Sequence, residues 1–537
     1  MNIRSILIVG GGTAGWMAAA GLCKFFGPEE LEISLVESQE VPKIGVGEST
    51  TAHFNEFVDI IGIPDKEWMP ECNATYKNNI RFTDFRELNS VFEYPFGGQS
   101  TRETVMLWAK LAAIYDLPPE SFSEFLNTNT FLAKYNRQSY NDERLDGYDF
   151  HWDTAYQFDA IAYGQFLKNK VCLKNGVKHY YDDVVGVEKD DDGYLTCLVG
   201  KSQKYSADLY IDCTGFNSLL LEKEMGSEFL SYKPWLANDS ALACHLPYID
   251  IETELTNTTN CTAIDNGWVW NVPIWNRIGT GYVYSSDFVD DDTAEMEFRR
   301  HLASESRFVK RAEEAEVRKI NIRHGIHKEA WVKNVVGVGL SYGFVEPLES
   351  TSLITTYKQI IHLCSLLQKR KQRVNRLDIS GYKITTSNDT EGYRDFVAMH
   401  YAASSRDDTP YWKYHTQEKE WIGIDQSKHN PLHFSFAGTS FNDHFYASMV
   451  AIQQYHVWTS EADGYEYIMA GSGYKPSSKY EFDVYYKDNK KSQTQEQLQQ
   501  AYEGWQSYMH DLKKYIISKK PSSYQFLKEN IYLTEEE

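Results

Sequence analysis

Glycines at 10, 12 and 15 in Gly10-Gly11-Gly12-Thr13-Ala14-Gly15 form a G-x-G-x-x-G pattern directly behind the apolar run Ser5-Ile6-Leu7-Ile8-Val9. Such a turn lets backbone approach a pyrophosphate, and the helix that follows presents its first N–H groups to the same anion. A second apolar run, residues 33–36, ends in Glu37, about 20 residues on, where a carboxylate accepts from ribose hydroxyls. These features predict a nucleotide-bearing cofactor held by Gly10, Gly12, Thr13, Ala14, Gly15 and Glu37. Much later, Glu349 is followed by Ser350, Thr351 and Ser352, then by Ile354, Tyr357, Ile361, Cys364 and Leu367 at helical spacing. At that helix start the N–H groups of Thr351 and Ser352 can seat a small anion beside a carboxylate. The plainer reading of the same residues is an N-cap cluster. Trp268 and Trp270 fall on one face of a strand, where core packing is the ordinary role.

The elements that must position these residues follow from periodicity. The opening strand, a helix over residues 16–22 and the strand ending at Glu37 make a βαβ unit. Residues 43–50 form a second glycine-bearing loop, leading into a helix with Phe54, Phe57, Val58 and Ile61 on one face and Pro64 beyond it. Residues 88–150, rich in Tyr, Asn and Phe, read as an irregular excursion over the core. A helical pattern returns over 151–176, and a β meander starts at Val184 and ends in the buried strand 208–215. Residues 266–284 read as two strands and 334–340 as another. The remainder is mostly helix and loop, with a last long helix bearing Leu498, Tyr502, Trp505, Met509, Leu512 and Ile516. Asp290, Asp291 and Asp292 read as a solvated turn. The fold class is α/β: a Rossmann-type core over 1–352 with a β-sheet insert, and a largely helical region over 353–537, interlocked as one unit.

Composition narrows the function. The net charge of −22 disfavours nucleic acid and anionic membrane, both of which require Lys/Arg patches. Eight scattered cysteines without a C-x-x-C pair read as reduced thiols. The chain begins almost at its first strand, and no uncharged apolar run reaches the roughly 18 residues of a membrane span. The expectation is a cytoplasmic enzyme. His324 and His327 lack a third ligand, so no metal is expected.

The motifs GGGTAGWMAA (10–19), KIGVGEST (43–50), ATYKNNIRF (74–82), ADLYIDCTG (207–215), GWVWNVP (267–273), VEPLEST (345–351) and SRDDTPYW (405–412) resemble those of flavin-dependent halogenases of the tryptophan-halogenase type. The resemblance implies an FAD-binding core like that of p-hydroxybenzoate hydroxylase, with further cofactor contacts from Val46, Gly47, Glu48, Val184 and Leu340. It implies that reduced FAD and oxygen turn a halide seated at Thr351 and Ser352 into hypohalous acid. Lys77 then presents that reagent, either by hydrogen bond from an ammonium or as a haloamine on a neutral amine. Glu349 orients the reagent and takes the proton from the halogenated arene, with Glu346 as an alternative. Trp268 and Trp270 form a wall that keeps the cofactor from oxygenating the substrate directly, and Tyr94 and Phe96 line the substrate side. No second nucleotide motif is present, so a separate NAD(P)H flavin reductase supplies reduced FAD by diffusion. The reading also allows a homo-oligomer.

Two departures from the family pattern carry consequences. Family members usually have glycine where Ser352 stands, which leaves the preferred halide open. Tryptophan halogenases also carry a long segment between the SRDDTPYW equivalent and a later FAG. Here Trp412 reaches Phe436-Ala437-Gly438 quickly, and the tryptophan-gripping residues have no counterparts. That predicts an electron-rich indole or phenol as substrate rather than free tryptophan. An aromatic hydroxylase of the same fold is the first rival, disfavoured because Gly339-Leu340-Ser341 replaces the hydroxylases' G-D-x and because a Trp pair is present. A catalytically silent FAD-binding protein is the second.

Overall fold

The apolar run Ser5–Val9 lies fully inside a six-stranded sheet, paired in parallel with Glu32–Glu37 on one side and Leu209–Asp212 on the other. Strands buried on both faces need continuous apolar side chains rather than alternation, and these supply them. Lys178–Tyr181 extends the sheet beyond Glu32–Glu37, while Val335–Gly337 and the antiparallel edge Trp331–Val332 complete the other side. Helix Thr13–Phe25 crosses between the first two strands and buries Trp16, Met17, Ala18, Ala19 and Ala20 against the sheet. The computed structural model describes residues 1–40, 48–97, 102–419, 424–427, 430–434, 462–473 and 494–533.

A seven-stranded sheet packs beside this core, ordered Arg318–Asn321, Ser240–Leu246, Arg277–Tyr284, Gly267–Ile274, Thr258–Ile264, Asn79–Thr83, Val91–Pro95. Its pairs are antiparallel except Thr258–Ile264 with Asn79–Thr83. A third, small sheet brings Glu48–Ser49 and Thr75–Lys77 to opposite sides of Ala155–Phe158. Two segments distant from it in sequence therefore meet on one short strand. After residue 350 three long helices dominate the described residues, Thr351–Lys369, Arg376–Ala402 and Gln495–Lys519.

Several local expectations give way to tertiary packing. Residues 88–150 are irregular only in part, chiefly over 135–150. They hold the strand Val91–Pro95 and the helices Arg102–Tyr115, Ser121–Leu126 and Asn129–Lys134. Their polar residues hid this pattern because the asparagines turn inward to serve backbone carbonyls. Residues 151–176 begin with the strand Ala155–Phe158 before the helix starts at Ala160, capped by Asp159. Asp290 is the N-cap of helix Asp291–Leu302, accepting from Thr293 N, so the acidic triplet is a helix start rather than a turn.

Asn129 is the hub of the inward-facing amides. Its Nδ2 donates to the carbonyls of Asn78 (2.9 Å), Phe96 (3.2 Å) and Asp153 (2.7 Å), and its Oδ1 accepts from Asn78 Nδ2. The side chain is fully buried. Asn78 and Phe96 flank Lys77 in space, so this amide pins the strand that presents the lysine. Replacing Asn129 with Ala leaves the Asn78 carbonyl with Phe96 N–H and the Phe96 carbonyl with Asn127 Nδ2. It removes the buried hydrogen bonds to the Asp153 carbonyl and the Asn78 amide, each costing about 1–3 kcal/mol. Asn129→Ala is therefore expected to lose at least about 2 kcal/mol of stability, read as a lowered urea midpoint.

Candidate active site

A cavity of about 680 Å³ opens at the C-terminal ends of the six-stranded sheet. It is lined by Gly10, Gly12, Thr13, Ala14, Glu37, Glu48, Val184 and Leu340 among the residues expected to hold a cofactor, and it continues to Trp270, Ser350 and Ser352. The glycine turn is built for close approach. Gly10 adopts φ +109°, and a Cβ there would meet the Cys213 carbonyl oxygen at 2.3 Å. No side chain caps the helix after Gly12, which leaves its first N–H groups facing the cavity. Gly15 does not line the cavity; a Cβ there would sit 1.9 Å from the Gly10 carbonyl oxygen, so it packs helix against turn.

Glu37 ends its strand at the cavity wall. Its Oε1 lies 2.9 Å from His179 Nε2 and 3.3 Å from Lys168 Nζ, and both neighbours are well buried. A Cβ on Gly11 would collide with the Glu37 side chain, 1.9 Å from Oε2 and 2.6 Å from its Cβ, whereas one on Gly12 would meet nothing within 4 Å. Glu48 lies half-buried at the cavity wall, and burial, aided by Asp159, raises its carboxyl to about 7. Val46 and Gly47 lie outside the described residues.

Lys77 is completely buried at the end of the strand Thr75–Lys77. Alternation along that strand sends Tyr76 to the opposite face, where its hydroxyl donates to Asp65 at 2.8 Å. The ammonium donates to the Thr50 carbonyl at 3.0 Å, Ser350 Oγ at 2.8 Å and Ser49 Oγ at 3.4 Å. It lies 5.0 Å from the centroid of the Phe96 ring. Burial lowers Lys77 to about 7, against the opposing pull of Cys261 and Glu349. Ser350 joins the two halves of the site, because it contacts Lys77 and also lines the cofactor cavity. It does so from a left-handed backbone, φ 58°, which is strained for a residue with a Cβ.

Helix Thr351–Lys369 begins at Ser350 without any side-chain cap. The serine hydroxyl that would ordinarily cap it is turned to Lys77 and Ser49 instead. The N-cap reading of Ser350, Thr351 and Ser352 is thus not what the structure shows. Ser352 lines the cavity, whereas the Thr351 side chain points back to the carbonyls of Val345 and Glu346.

Glu349 is buried, with Oε1 2.5 Å from Nε2 of His400, itself buried. Glu346 is also buried, accepting from Asn238 Nδ2 at 3.0 Å and from the Tyr401 hydroxyl; burial raises it to about 7. Carboxylates three residues apart thus meet adjacent residues of helix Arg376–Ala402. That clamp holds the segment before Ser350 in place.

Trp268 and Trp270 both lie on Gly267–Ile274, with ring centroids 6.2 Å apart. Only Trp270 lines the cavity; Trp268 is fully buried behind it. Gly281 on the neighbouring strand makes room, since a Cβ there would lie 2.1 Å from the Trp270 ring. Phe96 stands beside Lys77, while Tyr94 packs on Phe96, Phe396 and Tyr467, one layer away. Sequence reasoning missed Gly11, Ser49, Ser350 and His400 as parts of the arrangement. The Gly-Gly-Gly run was the available signal for the first. For His400 it was a histidine in the apolar series Tyr393, Phe396, Val397. Residues 436–438, which bound the shortened cap, lie outside the described residues.

The sequence model of the family described as "Tryptophan halogenase" matches residues 5–488. Tryptophan 6-halogenase SttH of Streptomyces toxytricini is 34% identical over 436 residues, covering 77% of this chain and 81% of its own. Tryptophan 7-halogenase RebH of Lentzea aerocolonigenes is 34% identical over 432 residues, covering 77% and 78%. The solved apo structure of VirX1 superposes with a TM-score of 0.88 at 42% identity, covering 99% of this chain and 100% of its own.

The buried lysine has a consequence for stability. Its folded-state value of about 7 lies below the 10.5 of an ordinary lysine, so the unfolded chain binds more protons between those limits. Folding is penalised fully below pH 7 and the penalty fades as pH rises toward 10.5. Lys77→Met should therefore raise the melting temperature, by an amount worth a few kcal/mol below pH 7 and shrinking toward pH 10 in a pH series of thermal melts.

Proposed function

The chain belongs to the tryptophan halogenase family, and from that premise we propose how its own residues act. It is a flavin-dependent halogenase of aromatic compounds that uses reduced FAD and a halide, and its family works with a separate flavin reductase. The cavity suits FAD: a glycine cradle and uncapped helix start for the pyrophosphate, Glu37 at the ribose end, and Leu340 and Trp270 toward Ser350 and Ser352. When bound, reduced FAD supplies, with oxygen, the oxidising power that converts halide to hypohalous acid.

In this reading the N–H groups at Thr351 and Ser352 seat the halide, because their helix start is left uncapped. Trp270, backed by Trp268, separates cofactor from arene. Lys77 receives the hypohalous acid and polarises it by a hydrogen bond from its ammonium. Three oxygens surround the Lys77 nitrogen, enough to accept from all three N–H groups of an ammonium. Glu349 takes the ring proton after the halogen has added. The observation that carries the proposal is the contact from Lys77 to Ser350, whose other side lines the cofactor cavity. It puts the lysine one side chain away from where the oxidant is made. The substrate we propose is an indole or phenol other than free tryptophan, on the short span from Trp412 to Phe436.

The test combines purified protein, FAD, an NADH-dependent reductase, oxygen and chloride or bromide with a panel of indoles and phenols, followed by mass spectrometry. Lys77→Ala should cut halogenation at least about 10²-fold while reduced FAD is still reoxidised. Hydroxylated product without halide would favour a hydroxylase, and free tryptophan as much the best substrate would overturn the substrate class. Halogenation by the wild type should fall as pH rises through about 7, where Lys77 loses its proton; a rise instead would favour the haloamine.

A further inference from the structure

Histidine 400 is fixed from both sides. Its Nδ1 lies 2.9 Å from the Phe396 carbonyl oxygen, four residues earlier in the same helix, and its Nε2 lies 2.5 Å from Glu349 Oε1. A carbonyl oxygen only accepts, so the proton on that side belongs to Nδ1. The short contact on the other side needs a proton too, lying between Nε2 and Glu349. The ring is also held by Phe82 and Phe396, with centroids 5.0 and 5.3 Å away, and is almost wholly shielded from solvent. Glu349 Oε1 thus cannot change its hydrogen-bonding state without involving His400.

We propose that His400 is a positioning residue for Glu349, holding it as an imidazolium–carboxylate pair so that the carboxylate is aimed and unprotonated when the halogenated ring must lose its proton. The inference rests on Glu349 acting as that base. A base must begin without the proton, so the shared proton resides on His400 Nε2. In the step itself the ring C–H bond breaks and its electron pair restores aromaticity. The proton passes to the Glu349 carboxylate and leaves for solvent before the next turnover. The pair has no net charge before the step. Lys77 therefore faces a carboxylate already balanced by a second cation, which keeps the lysine from being tied to Glu349 as a simple ion pair and leaves it directed to Ser350 and Thr50.

Two measurements test this. The first needs no substrate. In protein labelled with ¹⁵N-histidine, the His400 signals (identified by their loss in His400→Phe) should show both ring nitrogens protonated, and Glu349→Gln should convert Nε2 to the unprotonated type. An unprotonated Nε2 in the wild type would overturn the proposal. The second uses indole and ring-deuterated indole with bromide. His400→Phe should lower the bromination rate about 10²-fold, the lower end of a positioned base's contribution. It should also raise the isotope effect from near 1 to above about 2, the mark of proton loss becoming rate-limiting. His400→Gln, which keeps a donor to Glu349, should recover part of the rate. The double variant with Glu349→Gln should be no worse than Glu349→Gln alone, because one residue acts through the other. Losses that multiply, or an isotope effect unchanged in His400→Phe, would overturn the role of His400. Full activity in Glu349→Gln, with the ¹⁵N result intact, would instead overturn the base reading beneath it. Indole left unbrominated by the wild type would likewise count against the proposed substrate class, with the ¹⁵N result still deciding the pair.

Discussion

Burying the Lys77 ammonium is the constraint around which the site is organised. A cation removed from water costs several kcal/mol unless oxygen atoms replace its hydration. Here three oxygens from two places in the chain replace it: the Thr50 carbonyl and the neighbouring Ser49, and Ser350. None is near Lys77 in sequence. The small sheet built on Ala155–Phe158 delivers the first two, since Glu48–Ser49 and Thr75–Lys77 pair with the same strand. The third arrives on a strained turn at the start of a helix. A lysine lowered to about 7 shows that this solvation is incomplete, which is the state in which a small reagent can compete for the ammonium.

That arrangement explains the polar residues buried around it. Asn78, Asn79 and Asn129 sit fully inside the protein and serve carbonyls and side chains of the strands flanking Lys77. Asn129, whose amide nitrogen and oxygen are both partnered, fixes one geometry more sharply than apolar packing does in this low-dielectric interior. Asn78 and Asn79 engage these neighbours through Nδ2 alone. On the other side, Glu346 and Glu349 engage Tyr401 and His400, so the long helix Arg376–Ala402 holds the turn that carries Ser350. Aromatic packing of Phe82, Phe85 and Trp412 against one another and His400 closes the back of this clamp.

The cofactor cavity and the buried lysine lie on either side of Ser49 and Ser350, which line the one and contact the other. Separation of this kind suits a reaction in which the cofactor and the organic substrate must not meet. Trp270 forms part of the cavity wall, and Trp268 supports it from behind rather than sharing the wall. The two tryptophans are therefore unequal, which follows from the depth of each strand position rather than from their shared face.

Local signals were enough for the nucleotide cradle. A strand, a glycine turn, a helix and an acid in register are all short-range features, and Ser5–Val9, Gly10, Gly12 and Glu37 stand where the pattern puts them. Family motifs marked Lys77 and Glu349, because residue identity within a motif survives without coordinates. What only the tertiary structure decided was who touches whom. The inward turn of the asparagines in residues 88–150, the Ser350 hydroxyl spent on Lys77 instead of capping its helix, and the closure of His400 on Glu349 all depend on contacts between distant segments. Such contacts leave no period or spacing in the chain. They arise because buried polar groups must find partners wherever the fold brings them, and that requirement is met in three dimensions rather than along the sequence.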